Sequence, residues 1–356
     1  MSVNKNNYCI IMAGGIGARF WPMSTSEKPK QFIDILGTGT SLIQQTFNRF
    51  LSVCPKENIL IVTNQIYKDL VMEQLQGIGE QQILCEPCRR NTAPAIAYAC
   101  HKIASQNMDA NIVVAPSDHI ILNETEFSRI ISAAFTVTAA NDFLITLGMK
   151  PNRPDTGYGY IQFKESDNDL KKVKNFTEKP NIEKAKEFLA SGDFLWNAGI
   201  FVWSLKSILK ALETHLPVVN KIFKAGFDKY NTPAEQEFVN QAFISSENIS
   251  LDYGILEKSD NVYVIPSEFG WSDLGTWGSL YSIREKDADS NTVVGNNVLT
   301  YDSKNCIVNM PEDKLVVIQG LDDYIIVEDG GVLLICKKSD EQRIRQFTDD
   351  VAKLKG

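Results

Sequence analysis

The run Tyr8-Cys9-Ile10-Ile11-Met12-Ala13-Gly14-Gly15-Ile16-Gly17-Ala18-Arg19-Phe20-Trp21-Pro22, closed by Lys28-Pro29-Lys30-Gln31-Phe32, decides how the rest of the chain is read. A short apolar segment that stops at two glycines has the pattern of a parallel strand covered on both faces. Gly14, Gly15 and Gly17 remove side chains where backbone N–H groups can approach a ligand, and Arg19 and Lys30 bring positive charge beside them. A polyanion such as a nucleoside triphosphate suits that combination, although a tight turn with solvated cations accounts for the glycines alone. The segment is not a P-loop, because no Gly-Lys-Ser/Thr ending follows. It is not a dinucleotide fingerprint either, because Pro22 and Pro29 prevent the loop from opening directly into a long helix.

Outward from this loop, short β-branched runs alternate with amphipathic segments. Residues 41–54 repeat apolar positions at helical spacing behind Ser41, residues 58–63 read as a buried strand, and the alternation continues through strands at 82–85, 111–115 and 143–147 and helices at 66–75, 93–104 and 124–140. This predicts an α/β fold with an open, mostly parallel, Rossmann-like sheet flanked by helices, and a ligand site beyond the carboxyl ends of its strands. After Met149 the rhythm loosens into strands at 160–163, 173–178, 194–203 and 262–266, with a largely helical stretch over 205–242. Beyond Arg284 the chain turns to short strands separated by Gly, Asn and Asp, closed by a helix over 339–354. The expected domains are therefore 1–284 and a small β domain over 285–356.

Composition narrows the partners. A formal net charge of −8 is the wrong sign for a nucleic-acid polymer, so phosphate-binding cations must be local. No apolar run approaches the roughly 20 residues of a membrane span, and the polar start lacks a signal-peptide pattern, which makes a cytoplasmic location the expectation. Seven cysteines in mostly apolar contexts read as reduced thiols. Cys85-Glu86-Pro87-Cys88 has zinc spacing but no second Cys pair, and the three histidines are dispersed.

Asp118 ends the buried run Ile112-Val113-Val114-Ala115-Pro116-Ser117, and Asp273 sits in Trp271-Ser272-Asp273-Leu274-Gly275. Each alone reads as a turn residue or helix cap, but both fall where an α/β site is built. Glu86 and Pro87 with Asn91 and Thr92 bracket a helix start, and a carboxylate plus an amide also match the donor and acceptor edge of guanine. Tyr158-Gly159, Glu178-Lys179 and Asn197-Ala198-Gly199 read as turns and packing, or as the polar lining of a sugar phosphate site.

Together these residues resemble the mannose-1-phosphate guanylyltransferases, also called GDP-mannose pyrophosphorylases. The resemblance starts with the glycine loop and its Trp21-Pro22 and Pro29-Lys30-Gln31-Phe32 elements. It continues in order through Glu86-Pro87, Asn91-Thr92-Ala93-Pro94, Pro116-Ser117-Asp118-His119, Thr156-Gly157-Tyr158-Gly159-Tyr160-Ile161, Glu178-Lys179-Pro180, Trp196-Asn197-Ala198-Gly199, Asp252-Tyr253 with Glu257-Lys258, and Trp271-Ser272-Asp273. It implies a nucleotidyltransferase fold that joins GTP and α-D-mannose 1-phosphate into GDP-mannose and diphosphate. By this resemblance Ala13, Gly14, Gly15 and Gly17 bind the nucleotide phosphates, and Arg19 and Lys30 are catalytic. Glu86, Pro87, Asn91 and Thr92 face the base, Tyr158, Gly159, Glu178, Lys179, Asn197 and Gly199 face the sugar, and Asp118 and Asp273 hold Mg2+, with Mn2+ or Co2+ as substitutes. Some relatives add an isomerase domain with a metal site, for which this sequence shows no histidine cluster. A different base or sugar, a silent sugar-nucleotide-binding regulator, and assembly as a homodimer stand open at this stage.

Overall fold

The computed structural model describes residues 3–15 and 17–355, so Ile16 of the glycine loop lies outside the described residues. The chain forms two compact units, each discontinuous in sequence. One comprises Met1–Gly14, Thr46–Ser117 and Ile121–Trp271; the other comprises Gly15–Gln45, Asp118–Ile120 and Ser272–Gly356.

Among its described residues the first unit holds one nine-stranded sheet. Its strands are β1 (Asn7–Met12), β2 (Ile59–Asn64), β3 (Ile83–Glu86), β4 (Asn111–Pro116), β5 (Leu144–Met149), β6 (Tyr160–Phe163), β7 (Lys171–Thr177), β8 (Phe194–Ser204) and β9 (Val262–Ser267). The order is β3-β2-β1-β4-β8-β5-β9-β7-β6. The first four strands are parallel, with Ile10 opposite Leu60 on one side and Val114 on the other. This is the half that the buried apolar runs predict. The other half is mixed: β8 runs antiparallel to both β4 and β5, and β7 is antiparallel to β9 and β6. An aromatic strand such as β8 carries no sequence signal for its direction.

Helices cover the sheet because their apolar stripes need it. In the helix Thr92–Ala104, every residue from Ala93 to Ala104 is buried, and its alanines allow close approach to Tyr8, Ile10, Leu60 and Val62 of the sheet. The helical stretch expected over 205–242 is three helices, Leu205–His215, Pro217–Lys224 and Glu235–Ser245. Pro217 lacks an N–H and so opens the second helix instead of continuing the first.

The second unit is built on short parallel strands. β10 (Thr292–Val294) pairs with β12 (Ile307–Asn309), which pairs with β14 (Tyr324–Asp329), while β11 (Asn297–Tyr301) pairs with β13 (Leu315–Gln319). Each strand therefore lies beside the equivalent strand one rung on, giving a coil with corners at residues such as Asp302, Asn305 and Asp323, all with positive φ. β15 (Val332–Lys337) closes the coil antiparallel to β14. The unit is larger than the stretch after residue 284. Phe20, Trp21, Ile33 and Ile35, from the segment that follows the glycines, are buried in one cluster with Trp277, Leu280, Ile307 and Ile325. The expected terminal helix is Ile344–Lys355, preceded by a 3-10 segment.

Candidate active site

In the second unit the segment after the glycines forms two single 3-10 turns, Ala18–Phe20 and Lys30–Phe32, as the prolines require. Lys30 is only 4% exposed, yet its ammonium is not neutralised by one partner. It is 2.8 Å from Asp118 Oδ2 and donates to the backbone oxygens of Asp273 at 2.7 Å and Leu274 at 3.1 Å. One cation thus ties together residues 243 positions apart in sequence, and both predicted aspartates belong to this single cluster. Leu274 adopts a positive φ of 45°, an unfavourable conformation for a leucine, and its oxygen is one of the three acceptors. Gly17 lies against Lys30: with φ at 66°, any side chain there would overlap the lysine Cβ. Gln31 donates to the Gly15 oxygen at 2.9 Å and fixes the loop from its other side.

Burial on its own would raise the Asp118 carboxyl, but Lys30, with His119 behind it, outweighs that and holds it below the usual carboxylate range. His119 Nε2 stands 4.0 Å from Asp118 Oδ1, so the histidine supports the carboxylate. Asp273 is not a helix cap. Thr276 caps the helix Trp277–Ile283, while Asp273 Oδ1 accepts from the Gly275 N–H at 3.0 Å. Among the described residues Arg19 Nε is buried and has no hydrogen-bond partner, an arrangement that suits an incoming anion.

The oxygen-only set around the Lys30 ammonium bears on the implied metal. Among the described residues no cluster of three or more His, Cys, Asp and Glu side chains forms a self-sufficient cage. Around the ammonium stand the Asp118 carboxylate and the backbone oxygens of Asp273 and Leu274, an all-oxygen set of the kind a hard cation such as Mg2+ takes together with phosphates and water. The donor set fits Mg2+ better than a softer ion.

In the first unit the residues expected to face a base lie at and after the ends of β1 and β3. Ala13 extends the sheet, its N–H donating to the Val62 oxygen at 2.7 Å and its oxygen accepting from Thr63 Oγ1 at 2.9 Å. A Cβ on Gly14 would stand 3.3 Å from Glu86 Oε2, so the glycine leaves that carboxyl room. Glu86 is 7% exposed, and burial, opposed by Arg89, pushes its carboxyl up to about 8. Pro87 follows it, half-buried. Asn91 caps the helix Thr92–Ala104 by accepting from the Thr92 N–H, with φ 66° and ψ −169°, a region normally left to glycine. Thr92 Oγ1 accepts from the Leu251 N–H at 2.8 Å.

Also in the first unit, the residues expected to face a sugar phosphate converge. The Asn197 N–H donates to the Gly159 oxygen at 2.8 Å, and a side chain on Gly159 would overlap the Glu178 carboxylate. Lys179 Nζ donates to Glu178 Oε1 at 2.8 Å. Gly199, at φ 67°, directs its N–H to Asn197 Oδ1 at 3.1 Å. Tyr158 packs edge-on against Trp196 with centroids 4.9 Å apart, and the buried Tyr160 bonds the backbone N–H and oxygen of Asp155 through its hydroxyl.

A family model described as Nucleotidyl transferase matches residues 8–290. The chain belongs to the nucleotidyl transferase family. A second model, described as MannoseP isomerase/GMP-like beta-helix domain, matches residues 295–350, the parallel coil. Over 348 residues the chain is 33% identical to alginate biosynthesis protein AlgA of Pseudomonas aeruginosa, covering 96% of this chain and 71% of that protein. It is 34% identical to mannose-1-phosphate guanylyltransferase RfbM of Salmonella typhimurium, with the same two coverages. A crystal structure described as mannose-1-phosphate geranyltransferase from Thermus thermophilus matches with a TM-score of 0.87 at 26% identity, covering 98% of this chain and 99% of that one. In this nucleotidyltransferase a further polar residue adjoins Asn197: Asp252, whose Oδ1 accepts from Asn197 Nδ2 at 2.9 Å. Its only sequence signal was its place in the resemblance beside Tyr253. Among the described residues no helix is long and apolar enough to cross a membrane, and all seven cysteines are free.

Proposed function

We propose that the chain transfers a guanylyl group from GTP to α-D-mannose 1-phosphate, releasing diphosphate. The observation that carries the reading is the Lys30 cluster, in which one buried ammonium joins Asp118 to the Asp273 loop, while Arg19 Nε is buried without a partner among the described residues. Those groups match what an in-line displacement at phosphorus needs, namely fixed positive charge where negative charge develops. A phosphate oxygen of the sugar phosphate forms a bond to the α-phosphorus of GTP. The bond from that phosphorus to the bridging oxygen breaks, and diphosphate leaves with the electron pair. The attacking phosphate is already ionised at neutral pH, so no general base is needed.

In this reading Arg19 and Lys30 neutralise the triphosphate and the departing diphosphate, while Ala13, Gly14, Gly15 and Gly17 offer backbone rather than side chains. Asp118 and Asp273 would hold Mg2+, which supplies charge neutralisation at the phosphates when bound. Glu86, Pro87, Asn91 and Thr92 would select guanine, whose N1–H and 2-amino donors suit the Glu86 carboxylate. Tyr158, Gly159, Glu178, Lys179, Asn197 and Gly199 would receive mannose. The name of RfbM supports both substrates, and that of the Thermus protein supports mannose 1-phosphate. A cytoplasmic location and homodimeric assembly belong to the same proposal. The test is diphosphate release from GTP, ATP, UTP or dTTP with mannose 1-phosphate; a clear preference for a pyrimidine nucleotide rejects the assignment.

A further inference from the structure

Asn197 is held more completely than a binding residue alone requires. Its Oδ1 accepts twice, from Thr146 Oγ1 and from the Gly199 N–H, both at 3.1 Å. Its Nδ2 donates one hydrogen to Asp252 Oδ1 at 2.9 Å, and the second has no partner among the described residues. The acceptors and donors leave only one way to orient the amide, and they leave one N–H to give. Asp252 is placed by the backbone just before it: the Leu251 N–H donates to Thr92 Oγ1, and the Ile249 oxygen accepts from the Ala93 N–H. The segment ending at Asp252 is therefore clipped to the start of the helix Thr92–Ala104.

We propose that Asp252 is a positioning residue for the sugar phosphate, acting through Asn197: it fixes the amide so that the remaining N–H points to a sugar hydroxyl. This rests on the guanylyltransferase reading. The groups facing Asp252 are Glu178, Lys179, Glu257 and Asn197; burial and then Glu178 push its carboxyl up to about 6, so it is ionised at pH 7.5.

The experiment compares wild type, Asp252→Ala and Asp252→Asn at pH 7.5 with GTP, Mg2+ and mannose 1-phosphate, alongside thermal unfolding. Asp252→Ala frees the amide and raises KM for mannose 1-phosphate about tenfold or more, while KM for GTP stays within about twofold. Asp252→Asn keeps an oxygen acceptor for the amide, so its sugar phosphate KM rises by less than about threefold. Should Asp252→Ala fail to fold, Asp252→Ser, too short to reach Asn197, carries the same expectation. An unchanged sugar phosphate KM, or an equal rise in both KM values, in an enzyme whose wild type turns over overturns the positioning role alone. No turnover by wild type overturns the guanylyltransferase reading, and the inference falls with it.

Discussion

Replacing Lys30 by methionine keeps the buried stem and deletes the ammonium. The side chain is 4% exposed, so its packing is retained by a residue of similar length. What disappears is the bond to Asp118 at 2.8 Å and the two bonds to the oxygens of Asp273 and Leu274. Asp118 keeps 27% of its side chain in contact with solvent, so it is not stranded in a dry interior, and the cost falls toward the lower end of the range for a broken buried pair. With the two carbonyls also losing a donor, the loss is about 3 kcal/mol. Over 356 residues this lowers Tm by about 4 °C. Without Lys30 the Asp118 carboxyl loses its main compensation for burial, so it titrates at higher pH than in the parent. The stability it contributes is present above its unfolded value and lost as pH falls through its folded value. That window therefore narrows in the variant, because the folded value rises toward an unfolded value that stays fixed. Turnover falls by at least about 100-fold, as expected when a fixed charge is withdrawn from a phosphoryl transition state. The double variant Lys30→Met with Asp118→Asn separates the two effects, because removing both charges restores most of the stability and none of the turnover. The readouts are thermal unfolding, carboxyl NMR titration and diphosphate release. Turnover within about threefold of wild type in Lys30→Met, or recovery of turnover in the double variant, refutes the role given to this lysine.

Asp273→Asn preserves the side-chain turn to the Gly275 N–H because an amide oxygen can accept the same bond. Stability should change by no more than about 1 kcal/mol, while turnover falls by about 100-fold or more; intact turnover reduces Asp273 to a turn residue. Glu86, raised to about 8 by burial, is protonated in the ligand-free protein at neutral pH, whereas its unfolded value is that of an ordinary carboxyl. The native state thus binds more protons, and stability declines as pH rises between those two values; Glu86→Gln should flatten that decline in unfolding curves taken from pH 6 to pH 9. If the ionised carboxylate meets guanine, GTP binding near pH 7 releases a proton, seen as buffer-dependent binding enthalpy in calorimetry and lost in Glu86→Gln.

The buried runs 58–63 and 111–115 made the parallel half of the sheet legible, because a strand covered on both faces announces itself by composition. Helix 124–140 was equally plain from its sequence pattern, and in the structure Asn123 caps it by accepting from the Glu126 N–H. Strand β8 was legible as a strand and not as an antiparallel one, since side-chain alternation has no direction. The C-terminal strands were visible, but their parallel pairing was hidden: short strands between Asn and Asp corners read the same as hairpins, and their partners lie one rung away rather than across the turn. That the segment after the glycines belongs with this coil was illegible for a similar reason. Phe20, Trp21, Ile33 and Ile35 have no period, and their burial depends on residues beyond position 270. Individual candidates at the site were readable by type, as with Glu86 at a strand end and Lys30 beside prolines. Convergence was not, because the bond from Lys30 to Asp273 spans 243 positions, and Asp252 carried no spacing that marked it.

The most direct measurement is steady-state diphosphate release by the purified chain with Mg2+, mannose 1-phosphate and each of GTP, ATP, UTP and dTTP, repeated with glucose 1-phosphate and with a chelator. The account predicts metal-dependent turnover with GTP and mannose 1-phosphate and specificity for that pair over the others. Faster turnover with a pyrimidine nucleotide, or no diphosphate release from any pair, contradicts it.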